Sequence, residues 1–224
     1  MRIQRSVLPF ALLLLPFLSS CLTYYPNLIK TPLMRHKGEG HAAGYVVKNG
    51  FDAYASYAVT DNIAVMGSGT LGFNSDAEGT DTHMFGEGAI GVFGQVTEKL
   101  TGEAYVGAGF GQSTSLQAND SSSRQLGNYF RGFVMGDVSC PVGPADVGVT
   151  ARLSAVDFLS GREVIDQKPF GLFIEPAVFG RIGWQHFKVD GQVGMSWHIL
   201  SDPGFGTDKL FYGIGLHWIL PEMF

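Results

Sequence analysis

Charge is what this sequence has least of. Lys, Arg, Asp and Glu supply 16% of its 224 residues, against about 25% in an ordinary soluble domain. A water-facing shell built from so few ions would be poorly solvated. The formal charge of −5 leaves no basic field, and no long like-charge run offsets that, so no nucleic-acid partner is expected. The six histidines, at 36, 41, 83, 186, 198 and 217, show no HExxH or paired-ligand spacing and no cysteine pair accompanies them. Neither a metal site nor a cofactor is expected. From Gly38 onward no helical stripe is found either.

What the chain does have is a leader, many glycines and a two-residue period. Arg2 and Arg5 precede an apolar run from Val7 to Leu18, which is too short to span a bilayer and has the form of a signal-peptide core. The run ends in Leu18-Ser19-Ser20-Cys21. That tetrad resembles the lipobox of bacterial lipoproteins, which implies that residues 1–20 are removed and that Cys21 becomes the lipid-bearing (palmitate) first residue. Residue 22 is Leu rather than Asp, so the family's inner-membrane retention signal is absent and delivery to the outer membrane is favoured. Cys140 is then the one remaining thiol, and no intramolecular disulfide can form. Residues 22–37, with Pro26 and Pro32, follow neither period and read as a tether, 21–37, between the lipid and a fold over 38–224.

Ten β-type stretches follow, at 39–47, 51–59, 63–73, 83–95, 100–111, 128–140, 146–157, 170–183, 187–199 and 209–220. Most reach the roughly 9 to 11 residues that a tilted strand needs to cross a bilayer. Tight connections such as Thr60-Asp61-Asn62 and Trp184-Gln185-His186 alternate with long polar ones, "NSDAEGTDT", "QSTSLQANDSSSRQLG", "FLSGREVIDQKP" and "LSDPGFGTD"; Lys48-Asn49-Gly50 is a short exception on the long side. Membrane barrels show this asymmetry, with short turns toward the periplasm. An even strand count returns both termini to that side, where a periplasmic lipid anchor at Cys21 requires the chain to begin.

In "FKVDGQVGMSWHI", residues 187–199, Phe187, Val189, Val193, Met195, Trp197 and Ile199 share one side and Lys188, Asp190, Gln192 and His198 the other. Period alone does not say which side meets water. Across all strands one face is apolar almost throughout. The opposite face carries Asp52, Glu87, Glu103, Arg131, Asp137, Arg152, Glu175, Arg181, Lys188 and Asp190, separated by Gly, Ala, Ser, Phe and Met. The outside of a soluble barrel would be dense in Lys, Glu and Thr. Small residues with a few mutually satisfied ions suit a lumen instead. The apolar face also carries Phe73, Phe110, Phe130, Phe170, Trp197 and Tyr212 near the long-loop ends, with Tyr57, Phe187 and Trp218 toward the other, as interfacial girdles do.

This pattern resembles the small bacterial outer-membrane β-barrel proteins, OmpA/OmpX-like in the broad sense, over roughly residues 38 to 224. The resemblance implies an all-β, antiparallel up-and-down transmembrane barrel of about ten strands, eight if 39–47 joins the tether. It also implies assembly by the barrel-assembly machinery, for which the terminal Phe224 is similar to the family's aromatic end residue. Pro221 interrupts the last strand, and Pro176 calls for a bulge near Glu175.

Other motifs carry little chemistry. Gly67 to Gly72 matches GxGxxG, yet no helix follows to receive a pyrophosphate. Asp81, His83, Asp202 and Asp208 are similar in type to the carboxylate and His groups of ten-stranded outer-membrane proteases, but loop acids are ordinarily just solvated. Four positive and six negative lumen charges favour mutual pairing over a pathway, because a buried unpaired ion costs several kcal/mol. The sequence therefore points to a non-enzymatic, lipid-anchored outer-membrane barrel with a structural or surface-interaction role. Its partners are outer-membrane lipid and an unknown external partner. A narrow channel for small polar solutes and a soluble, lipid-anchored periplasmic carrier of an apolar ligand are the alternatives.

Overall fold

The computed structural model describes residues 22–75, 79–117, 124–161, 170–201 and 205–220. The strands, in chain order, are β1 (Leu22–Tyr24), β2 (Gly40–Val47), β3 (Gly50–Ala58), β4 (Ile63–Ser75), β5 (Gly79–Thr97), β6 (Leu100–Gln117) and β7 (Arg124–Val142). They continue as β8 (Ala145–Gly161), β9 (Phe170–Gly183), β10 (Phe187–Met195), β11 (Trp197–Ser201), β12 (Phe205–Thr207) and β13 (Leu210–Leu220). Sequential strands from β2 to β9 pair antiparallel, β10 pairs with both β9 and β13, and β13 pairs with β2. The sheet is thereby closed: an up-and-down barrel of ten strands in which β10 and β11 form one strand interrupted at Ser196. Residues 39–47 are thus part of the wall, as β2.

The two faces separate cleanly. Val178, Val189 and Val193 expose about half of their surface, whereas Asp190 exposes 2%. Phe73, Phe110, Phe130, Phe170, Trp197, Tyr212, Phe187 and Trp218 all project outward, and Phe187 stacks on Trp218 at the short-turn end with ring centroids 5.6 Å apart. An apolar exterior around a polar, closed lumen is a membrane-spanning barrel, since only lipid solvates such a wall without cost. The soluble-carrier alternative is overturned here, because it needs the apolar face inside.

Inside, aromatic rings lie over glycines. A Cβ on Gly109 would sit 2.4 Å from Cζ of Phe85, and one on Gly194 2.3 Å from Cζ of Phe211. The GxGxxG stretch forms part of β4. Short turns are closed by side-chain acceptors: Thr60 Oγ1 receives the Ile63 amide at 2.9 Å, and Thr97 Oγ1 the Leu100 amide at 3.2 Å.

Three expectations are corrected. In the long polar connections the described residues 74–75, 79–82, 112–117, 124–127 and 158–161 are strand, so that β5, β6, β7 and β8 run to 19, 18, 19 and 17 residues, well beyond the roughly 9 to 11 that cross a bilayer. Above the membrane both faces of a hairpin meet water, so the sequence loses its alternation there while the ladder goes on. No bulge forms at Glu175; β8 and β9 stay in register through Pro176. Pro176 falls instead just past the Gly194–Ala177 pair, where the β9–β10 ladder stops, and the register shift lies further on, between His198 and Leu200.

The third correction is the largest. Residues 22–37 are no external tether: Tyr24, Leu28, Ile29, Lys30 and Met34 are each at most 2% exposed. Strand β1 pairs in parallel with β12, in the connection between β11 and β13 at the long-hairpin end. Tyr25 stacks on His83 and donates to Asp81 near the same mouth. At the far end the Lys37 amide reaches Asp61 in a short turn, and the Gly38 amide bonds Ala58 as the chain turns into β2. The segment descends the lumen from the long-hairpin mouth to the short-turn mouth. The described chain consequently begins at the end opposite to the one expected.

Candidate functional site

The lumen is where charge, burial and the inward segment meet. Near the long hairpins, Asn27 is the junction. Its Oδ1 accepts from Arg131 Nη2 and from Arg152 Nη1, both at 2.9 Å, and its Nδ2 donates to Glu87 at 3.2 Å. Arg131 also pairs with Glu87, donates to the Tyr24 hydroxyl at 2.7 Å and lies 4.2 Å above the Phe85 ring. Arg152 Nε donates to Glu175 at 2.6 Å, and that carboxylate further accepts from Ser154 at 2.8 Å and Tyr24 at 3.1 Å. Glu87, Arg131, Arg152 and Glu175 come from β5, β7, β8 and β9, and the inward positions beside them are held by Phe85, Tyr129, Phe133 and Phe173 together with the smaller Thr150, Ser154 and Ala177.

One step lower, Lys30 Nζ meets Asp52 at 2.5 Å, and Asp52 also accepts the Leu28 amide at 3.0 Å. Gln192 behaves like a strand edge toward Ile29. It accepts the Ile29 amide at 2.8 Å and donates to the Ile29 carbonyl at 2.9 Å. Arg181 then clamps the carbonyls of Thr31 and Pro32 and pairs with Asp190 at 3.3 Å. Leu33 adopts φ of 63°, a left-handed conformation costing roughly 1–2 kcal/mol for a residue with a Cβ. That turn aims two successive amides, of Leu33 and Met34, at Glu103 from 2.9 and 2.7 Å. Such charge-assisted bonds offset the strain.

At the short-turn mouth Asp146 receives Lys188 and, at 3.5 Å, Arg35. Beside them runs a chain of side chains: Glu39 to His41 at 3.0 Å, His41 to His217 at 2.7 Å, His217 to Tyr54 at 3.2 Å and to Asp190 at 3.6 Å. Burial pushes the Glu39 carboxyl up, but the bond and charge of His41 and the Arg35 amide outweigh it and hold the group below the ordinary range. No cluster of three or more metal-ligating side chains occurs among the described residues.

Every lumen charge singled out in the sequence points inward, and Asp52, Glu87, Glu103, Arg131, Arg152, Glu175, Arg181, Lys188 and Asp190 each have a partner. Asp137, opposite Glu103 on the neighbouring strand, has neither carboxylate oxygen hydrogen-bonded. What sequence reasoning missed is the inward segment: Tyr24, Asn27, Lys30 and Arg35, and with them the His41–His217 pair and Asp146. The one available signal was the excess of acids over bases on the wall, which Lys30 and Arg35 reduce. Of the protease-like groups, Asp81 and His83 are both engaged by Tyr25, Asp208 pairs with Lys48 at 2.8 Å, and Asp202 lies outside the described residues. So do Cys21 and Phe224.

Neither a protein-family profile nor a curated protein sequence matches the chain. Among solved structures it is similar to Ail, the attachment invasion locus protein of Yersinia pestis, at 13% identity and a TM-score of 0.31, over 81% of this chain and 95% of that one.

Proposed function

We propose that the chain is a non-enzymatic outer-membrane barrel, lipid-modified at Cys21 and closed by its own N-terminal segment, with a structural or surface-interaction role. The short turns face the periplasm and the long hairpins the exterior, the usual polarity of such barrels. The observation carrying this reading is the lumen filled by residues 24–34, bonded through Asn27, Lys30 and the Thr31–Met34 backbone to opposite walls. A segment so held leaves no aqueous path through a ten-stranded barrel, whose lumen is little wider than its side chains need. The hairpins of β4 to β8, projecting past the bilayer, are then the surface offered to an external partner. The barrel-assembly machinery and outer-membrane lipid remain its partners on this reading.

Planar-bilayer recording tests it. The purified barrel is expected to insert without unitary conductance steps, and stable steps from the wild-type protein would return the channel alternative to first place.

A further inference from the structure

We infer that the lipid on Cys21 enters the external leaflet, beside the seam between β11 and β13, so that the mature N-terminus is displayed at the cell surface. This deepens the proposal above and rests on it for the lipid and for the barrel's orientation. Strand β1 fixes where the chain starts: Leu22 pairs with Phe205 and Tyr24 with Thr207, beyond the β10–β13 ladder at the long-hairpin end. Cys21 is joined directly to Leu22, a Cα step of about 3.8 Å. The periplasmic leaflet lies across a hydrocarbon core of about 30 Å, and the lumen route back is already filled by residues 24–34. One residue does not reach it.

The same place offers the acyl chains a way into lipid. Pairing between the last two barrel strands ends at Met195 with Leu210, and the Ser196 amide makes a final bond to the Lys209 carbonyl. Above that, among the described residues, β11 pairs only with β9 and β12 only with β1. The register shift between His198 and Leu200 turns Leu200 to the outer face alongside Trp197 and Ile199, and these three are 61%, 47% and 56% exposed. Trp197 also borders, with Val193, Met195 and Leu210, an apolar groove of about 830 Å³ on the wall. An acylated residue one position before β1 would start from the same long-hairpin end of the barrel that carries this apolar strip.

The test uses the full chain in cells. An epitope inserted between Cys21 and Leu22 is compared with one after Asn49, on the long-hairpin side, and one after Glu98, in a short turn. Antibody is expected to bind intact cells carrying the first two, and the third only after permeabilisation. Binding of the Cys21 epitope only after permeabilisation, with the Asn49 epitope exposed, overturns the inference alone. Identical behaviour of the Asn49 and Glu98 epitopes overturns the membrane reading and the inference with it. Should the insertion impair folding, the chain without an insertion still carries the test. Cells fed a photoactivatable palmitate analogue are then irradiated. Crosslinks are expected on the peptide containing residues 197–201. Crosslinks confined to the Trp184–Phe187 turn overturn the external placement, and a chain carrying no analogue overturns the lipidation.

Discussion

At the scale of single residues, the lumen is held by ions that tolerate no loss of a partner. Asp52 is buried and its cation, Lys30, comes from the inserted segment. Lys30→Met leaves a carboxylate in a low-dielectric interior with only the Leu28 amide and the Thr70 hydroxyl as donors. Removing one member of a buried pair typically costs about 3–5 kcal/mol. We expect a loss of that order in urea unfolding of the micelle-embedded protein, and recovery of at least half of it in Lys30→Met with Asp52→Asn, where the amide still accepts from Leu28 without a charge. Equal losses in the single and double variants would show that the side-chain volume of Lys30, not its charge, secures the segment. None of this was legible in the sequence. Residues 22–37 bond through side chains and isolated backbone groups to strands far away in the chain, so they leave neither a two-residue nor a helical period. Only the surplus of acids on the wall hinted that cations were missing.

At the scale of elements, the strands were readable wherever two different solvents flank them. The stretches 170–183 and 63–73 coincide with β9 and with most of β4, because lipid on one side and a crowded lumen on the other impose strict alternation. Beyond the bilayer water lies on both sides, the pattern fades, and the outer ends of β5 to β8 read as loops. Pro176 illustrates a second limit. The sequence exposes the missing donor but not which neighbour adapts, and here it is β10 that ends while β9 runs on. The energetic signature of a lipid-facing strand is depth. Val178→Arg, on the outer face of β9, is expected to destabilise by about 2–4 kcal/mol if it lies near the midplane. Trp184→Arg, in the short turn and 82% exposed, should cost under about 1 kcal/mol. Equilibrium refolding into vesicles compares them, and equal costs at the two sites would deny the wall its lipid contact.

For the whole molecule, the barrel and its N-terminal segment form one unit. The wall alone would enclose a lumen with more acids than bases, and the segment would have no structure of its own outside it. Their joint folding puts the first described residues at the long-hairpin mouth, which reverses the polarity that strand counting implied. Counting gave both ends to the periplasm because it treated residues 22–37 as lying outside the barrel; an inserted segment adds one more traverse. The central physical claim remains that hydrocarbon solvates the outer face. Single-cysteine variants from Lys188 to Met195, in a Cys140→Ser background, can each carry an environment-sensitive fluorophore in vesicles containing brominated lipid. Strong quenching is expected at Val189, Gly191, Val193 and Met195 and little at Lys188, Asp190, Gln192 and Gly194; quenching that is uniform, absent or reversed in phase would contradict a lipid-facing wall.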